Sequence, residues 1–329
     1  MTAFDNTHLS EVGKDKSEPP SFEVNFKLPG VHPIGVDEEV LRFLNASRSA
    51  NTLRAYRSDL ADFLAQGGAF PAEPADVARY LAGRAAELAP ATLLRRLVAI
   101  AQAHTNRGLP NPCKSDVVRL TLRGIRRIHG RPQRQSRPLL KSHLEAIVQR
   151  AGSSLRDRRD SALMLIGFYG ALRRSELVGI RSGSLLWHEE GLVLAISKSK
   201  TDQEGRGRQI LIQKASASPC PIGALRDWLE ASGISGGAVF RSVDQCGKIG
   251  GRALSAESIG TILKGRMEEI GFTSEGFSGH SLRAGFVTEA INAGWPLWKI
   301  REQTGHASDA TLERYIRREQ VKRELFPSI

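Results

Sequence analysis

The sequence predicts a multidomain chain, with an all-α N-terminal domain followed by a mixed α+β, mainly helical domain that holds a small antiparallel sheet. Three observations predict it. Apolar residues keep a helical period between about residues 34 and 129. A stretch with two prolines, several arginines and no apolar side chain breaks that period at 130–138 and reads as a linker. Beyond it, strand-like runs occur only between residues 184 and 213, among further helices. At 329 residues the chain is long enough for two separate cores, of roughly 100 and roughly 180 residues.

Residues 1–33 mix charges with Ser, Pro and Gly without a period and read as a flexible arm. The first clear helix spans 49–66, where Leu53, Tyr56, Leu60, Phe63 and Leu64 make one stripe. Asn51 or Thr52 could cap it, and Gly67-Gly68 stops it. Pro74 and Pro90 open two more helices. A fourth runs over about 114–129, with Val118, Leu122 and Ile125 on its apolar side. In the domain at 139–318, helices are expected at 140–151 and 158–170, the second strongly apolar. Strands at 184–187, 191–197 and 209–213 follow, with 201–208 as a polar hairpin loop. Helices resume at 221–231, 255–270 and across 280–315. The tail at 319–329 repeats the amphipathic pattern with Val321, Leu325, Phe326 and Ile329.

The net charge of +12 favours a polyanionic partner, nucleic acid before an anionic membrane surface. Residues 114–137 hold eight Lys or Arg and one acid. A merely solvated face would mix signs, so the uniform sign points to phosphate contact. Arg119, Arg123, Arg126 and Arg127 share the polar side of the fourth helix, with Arg131 and Arg134 after it. Arg48, Arg54, Arg57, Arg95 and Arg96 on earlier helices extend the argument. Neither an apolar run long enough to span a membrane nor a signal-peptide pattern is present. Cys113, Cys220 and Cys246 are odd in number and form no C-x-x-C pair, so neither a disulfide framework nor a zinc site is indicated.

Chemistry-bearing residues gather late in the chain. Gly279-His280-Ser281-Leu282-Arg283, Gly305-His306 and Tyr315 stand among small apolar residues, and an arginine pair lies in Ala171-Leu172-Arg173-Arg174-Ser175-Glu176-Leu177. Alone, Tyr315 would read as a packing residue and either histidine as structural. Together they suggest attack of a phenolic oxygen on a phosphodiester. Breaking and rejoining DNA without a cofactor needs an in-line nucleophile, an acid for the leaving 5′-oxygen and cations on the non-bridging oxygens. Tyrosine suits the first task because its phosphate ester stores the bond energy. Arginine suits the third because its planar fork matches two phosphate oxygens. Lysine or histidine can carry the second. Trp295 and Trp298 read as core or interface residues, not as a platform for stacked bases.

These segments, with Thr304 before Gly305-His306, resemble the signature boxes of the tyrosine recombinase (phage integrase) family, in the family's order and at familiar separations. The helices with Ser49-Ala50-Asn51-Thr52 and Tyr56 are similar to its core-binding domain, and the whole looks like the simple two-domain, Cre-like or Xer-like type. The resemblance covers nearly everything from about residue 36. It implies a SAM-like core-binding domain at 34–129, a catalytic domain at 139–318, and a tail at 319–329 that docks in trans on a neighbouring subunit or folds back on its own.

By residue, the resemblance implies that Tyr315 is the nucleophile of a 3′-phosphotyrosyl bond and that Arg173 and Arg283 clamp the scissile phosphate. His280 would be general base or hydrogen-bond donor, His306 would bond phosphate, and Glu176 would support the site. Lys200 on the hairpin would protonate the leaving oxygen. Only the box alignment chooses Arg173 over Arg174, and Lys198 shares a strand face with Lys200. The implied function is site-specific recombination of duplex DNA through a Holliday junction, without metal, cofactor or ATP. Its partners would be paired inverted half-sites and a homotetramer assembled on DNA from free monomers, in the cytoplasm and associated with the nucleoid, with no membrane. The alternatives are a type IB topoisomerase and a non-catalytic DNA-binding protein on this fold.

Overall fold

The computed structural model describes residues 49–131, 135–196, 207–215, 219–306 and 312. The arm at 1–33, Arg48, Arg134, Lys198, Lys200, Tyr315 and the tail at 319–329 lie outside the described residues. The chain divides into two compact units, Met1–Gln133 and Arg134–Ile329.

The first unit holds helices α1 (Ala50–Ala65), α2 (Pro74–Gly83), α3 (Pro90–Thr105) and α4 (Asp116–His129), with a 3-10 turn at Pro112–Lys114. Ser49, two residues before the nearer of the expected caps, closes the start of α1 by accepting the Thr52 N–H at 3.2 Å. Prolines begin α2 and α3, where a missing N–H costs nothing. Leu60, Phe63, Val77, Leu81, Leu93, Ile100, Val118, Leu122 and Ile125 make one core. Fully burying each such side chain contributes about 1.5–3 kcal/mol before the entropy of ordering is set against it.

Asp59 and Asp62 lie one turn apart on α1, and their charges need cations. Arg95 gives Asp59 both Nε and Nη2 at 2.8 Å. Arg96 pairs with Asp62 and donates to the Tyr80 hydroxyl at 2.6 Å. This corrects the expectation that Arg96 faces DNA: it is 9% exposed, and its guanidinium is turned into the helices between the half-buried Asp62 and the buried Asp59.

The second unit contains α5 (Lys141–Arg150), α6 (Leu155–Tyr169), α7 (Arg174–Val178), β1 (Leu185–Trp187), β2 (Gly191–Ile196), β3 (Arg208–Gln213) and α8 (Pro221–Ser232). It continues with β4 (Arg241–Val243), β5 (Ile249–Ala253), α9 (Ala256–Glu269), α10 (Ser281–Asn292) and α11 (Leu297–Thr304). Helix α6 is buried on every side from Arg159 to Phe168 and forms the centre of this unit. Strands β1, β2 and β3 pair antiparallel in that order, with Ile196 opposite Arg208 at the mouth of the β2–β3 hairpin. Ile210 and Ile212 face the core while Leu211 faces out, the alternation a half-buried sheet requires. A second antiparallel pair, β4–β5, makes two small sheets among the described residues where one was expected. No described helix is long and apolar enough to cross a membrane.

Residues leading into α5 are fastened to α10. The Arg137 N–H donates to Gly276 O at 2.8 Å and the Leu139 N–H to Ser281 O at 3.0 Å. The chain passes so near α10 that a Cβ on Gly285 would stand 1.8 Å from Leu139 O. Only glycine allows this approach. It fixes the helix that carries Arg283.

Candidate functional site

The site is built where α6, α10, α11 and β3 converge. After α6, Gly170 and Ala171 turn the chain; Ala171, at φ 47°, is the one non-glycine residue with positive φ among those described. An alanine there carries strain of about 1 kcal/mol. The turn aims the Ala171 carbonyl at Arg283 Nη1, 2.9 Å away and 112 residues later in sequence. Arg283 is 1% exposed.

Arg173 follows as N-cap of α7. Glu176, one turn on, reaches back: its Oε2 accepts the Arg173 backbone N–H at 2.9 Å and its Oε1 takes Arg173 Nη1 at 2.8 Å. Arg173 Nη2 donates to Gly305 O at 3.0 Å. Arg174 points elsewhere: it is exposed and runs along the bare α-carbon of Gly279, beside His280.

Helix α11 leaves carbonyls without helical partners at its C-terminal end, and arginines take them. Arg208 Nη1 donates to Gln303 O at 2.8 Å. The Gln303 side chain donates to Tyr169 O at 2.8 Å and Leu211 O at 3.1 Å, tying this end to α6 and β3. Gly305 caps the helix in the left-handed region, φ 63°, and His306 comes next. The Nδ1 of His306 lies 2.8 Å from Thr304 Oγ1. That hydroxyl has one hydrogen and gives it to Ile300 O at 2.7 Å. By donor counting, Nδ1–H therefore donates to Thr304, and Nε2 keeps a lone pair.

The electrostatics follow from burial among cations. Burial holds His306 neutral, and the charges of Arg283 and Arg173, then His280 and Arg208, lower its pKa further, to about 3. His280 is exposed as a residue, but its ring is partly desolvated, and this lowers its pKa first, followed by Arg283, Arg174 and Arg173. For Glu176, burial alone would raise the pKa. The Arg173 backbone N–H, the Arg208 charge and the Arg173 guanidinium outweigh it and hold the carboxyl below its ordinary range. Arg173 and Arg208 thus share one carboxylate, while Arg283 and Arg173 act on two neutral imidazoles, an excess of positive charge suited to an anion with several oxygens.

Of the expected site residues, the fold brings Arg173, Glu176, His280, Arg283 and His306 together. Lys200 and Tyr315 lie outside the described residues. Arg208 was missed. Its Nη2 is 3.0 Å from Glu176 Oε2, and the carboxylate's side chain is 1% exposed. In sequence it is one more basic residue in a basic hairpin, and its acidic partner lies 32 residues away.

In the first unit Arg54, Arg57, Arg119, Arg123, Arg126, Arg127 and Arg131 are exposed. Arg119 pairs with Asp116 at 2.6 Å across the surface, and Arg95 is half exposed but committed to Asp59. Trp298 is 62% exposed and not part of the core, while Trp295 sets its edge against Phe286, ring centroids 5.8 Å apart.

The sequence profile described as the phage integrase family matches residues 137–321. An integrase/recombinase xerD homolog of Selenomonas ruminantium is 35% identical over 285 residues, 84% of each chain. Among solved structures, XerH site-specific recombinase bound to palindromic difH substrate has a TM-score of 0.63 at 16% identity, covering 88% of this chain and 83% of that one. A lambda integrase tetramer bound to a Holliday junction has a TM-score of 0.59 at 18% identity, covering 82% and 75%. The two structural likenesses show a shared fold.

Proposed function

The chain belongs to the phage integrase family, and from that premise we infer that it is a site-specific DNA recombinase acting through tyrosine. The observation that carries the reading is the cluster of Arg173, Arg283, His280 and His306, assembled from three separated segments, with Glu176 holding Arg173. Its charge and donor supply match a phosphodiester in transition, where negative charge grows on the non-bridging oxygens.

The roles follow from the residues. The phenolic oxygen of Tyr315 attacks phosphorus as the bond to the 5′-oxygen breaks. Neutral His280 can accept the phenolic proton, because burial and the neighbouring arginines keep it unprotonated. Lys200 gives a proton to the leaving 5′-oxygen. Arg173 and Arg283 hold the non-bridging oxygens. Arg173 spends two of its donors on Glu176 and Gly305 and so arrives preoriented. The 3′-phosphotyrosyl ester conserves the bond energy, and attack by a 5′-hydroxyl from a partner strand reverses the step without ATP.

The first unit serves as the SAM-like core-binding domain. Its exposed arginines, Arg119, Arg123, Arg126 and Arg127 foremost, contact phosphates without reading bases. The working assembly is a tetramer on paired inverted half-sites that resolves through a Holliday junction, formed from monomers in the cytoplasm, at the nucleoid. The test uses nicked duplexes built from inverted repeats beside the protein's own gene. The expected result is a covalent protein–DNA adduct that Tyr315→Phe does not form; binding of these duplexes without any adduct sinks the catalytic reading, and relaxation of supercoils without a specific site favours a topoisomerase.

A further inference from the structure

Arg208 has no part in the chemistry just described, yet its guanidinium occupies the middle of the site. It sits at the mouth of the β2–β3 hairpin, opposite Ile196, as the first residue of β3. One arm of its fork, Nη2, reaches Glu176 Oε2 at 3.0 Å, and the other, Nη1, reaches Gln303 O at 2.8 Å. The fork also lies flat against the α-carbon of Gly305, where a Cβ would stand 2.8 Å from Nη1. Three site segments, α7, the end of α11 and the hairpin root, thus meet on one side chain that is 18% exposed.

Resting on the recombinase reading, we propose that Arg208 is a positioning residue of this site: it locks Glu176, and through it Arg173, against the turn that presents His306. Two physical arguments support this. First, Glu176 Oε2 already accepts the Arg173 backbone N–H, so the second arginine fills its remaining capacity and fixes the carboxylate in one orientation. With one orientation of Glu176 comes one rotamer of Arg173. Second, a bidentate guanidinium bridging a carboxylate and a carbonyl on different elements holds both at a set separation. A lysine ammonium of the same charge would be free to choose between them. Arg208 also joins the charges that keep His306 neutral.

The test uses the full chain with Arg208→Gln and Arg208→Lys, on the same nicked duplexes. The half-saturating duplex concentration should stay within about threefold of wild type. The single-turnover rate of adduct formation should fall by about 10²-fold in Arg208→Gln, the size expected when a reacting group is displaced by about an ångström. Arg208→Lys should stay within about tenfold of Arg208→Gln, because charge without the fork does not span both acceptors. In the free protein, the His306 ring, followed by nitrogen NMR, should titrate at higher pH in Arg208→Gln than in wild type. A wild-type adduct rate in either variant overturns the proposal. So does a loss of DNA binding parallel to the loss of rate, which a folding defect would give. Should Arg208→Gln fail to fold, Arg208→Lys keeps the charge beside Glu176 and carries the rate test. Absence of any adduct in wild type counts against the recombinase reading, whereas a wild-type adduct that both variants form at an unchanged rate counts against the positioning role alone.

Discussion

At the scale of single residues, His306 makes the sharpest prediction. Its Nε2 carries the lone pair while Nδ1–H is engaged by Thr304, so the ring cannot donate a hydrogen bond from Nε2 until it gains a proton. In the free protein its pKa is about 3, and it is neutral at pH 7. A phosphate beside it favours the charged form and raises that value, so the sign is fixed: DNA binding takes up a proton and tightens as pH falls. Calorimetry at pH 7 in buffers of different ionisation enthalpy should show uptake of up to about one proton in wild type and clearly less in His306→Asn. Equal buffer dependence in the two would sink this account. The same scale shows where sequence reasoning ran out. The signature boxes made Arg173, Glu176, His280, Arg283 and His306 legible, because their spacing is a local pattern. Arg208 was missed and Arg96 misread because their meaning depends on carboxylates 32 and 34 residues away, which no local pattern reveals.

At the scale of elements, helical periods and the Pro and Gly punctuation read well. Apart from the short α7, the helices of the second unit and strands β1–β3 lie near their expected places, because a half-buried element leaves a period in the sequence and the wholly buried α6 leaves an apolar run. Strands β4 and β5 left none, being three and five residues long with adjacent glycines in the second. The close approach of residues 137–139 to α10 was equally silent. It makes Gly285 a test of how that helix is fixed. At an ordinary helical position Gly→Ala stabilises by about 1 kcal/mol. Here the new Cβ would fall 1.8 Å from Leu139 O, so Gly285→Ala should instead destabilise by about 3 kcal/mol or more. Urea unfolding midpoints decide it: an unchanged or raised midpoint means the contact is not what holds α10.

At the scale of the whole molecule, the +12 charge foretold a polyanionic partner, but not how unevenly charge would be balanced inside. The ion pairs around Asp59, Asp62 and Asp160 match arginines with acids and serve folding. Around Glu176 the matching stops short: Arg173 and Arg208 share its one carboxylate, and Arg283 adds a third positive charge to the histidines nearby. Mutual repulsion there is a load that the rest of the fold must hold closed. Any oxyanion that enters lightens the load and so acts as a folding ligand. Sulfate should therefore raise the melting temperature of wild type more than that of Arg173→Gln at equal ionic strength. Equal gains would reveal nothing beyond the general salting effect. The protein that wanders in search of its site is thus the softer form of itself, and it stiffens where the backbone of DNA completes its charge.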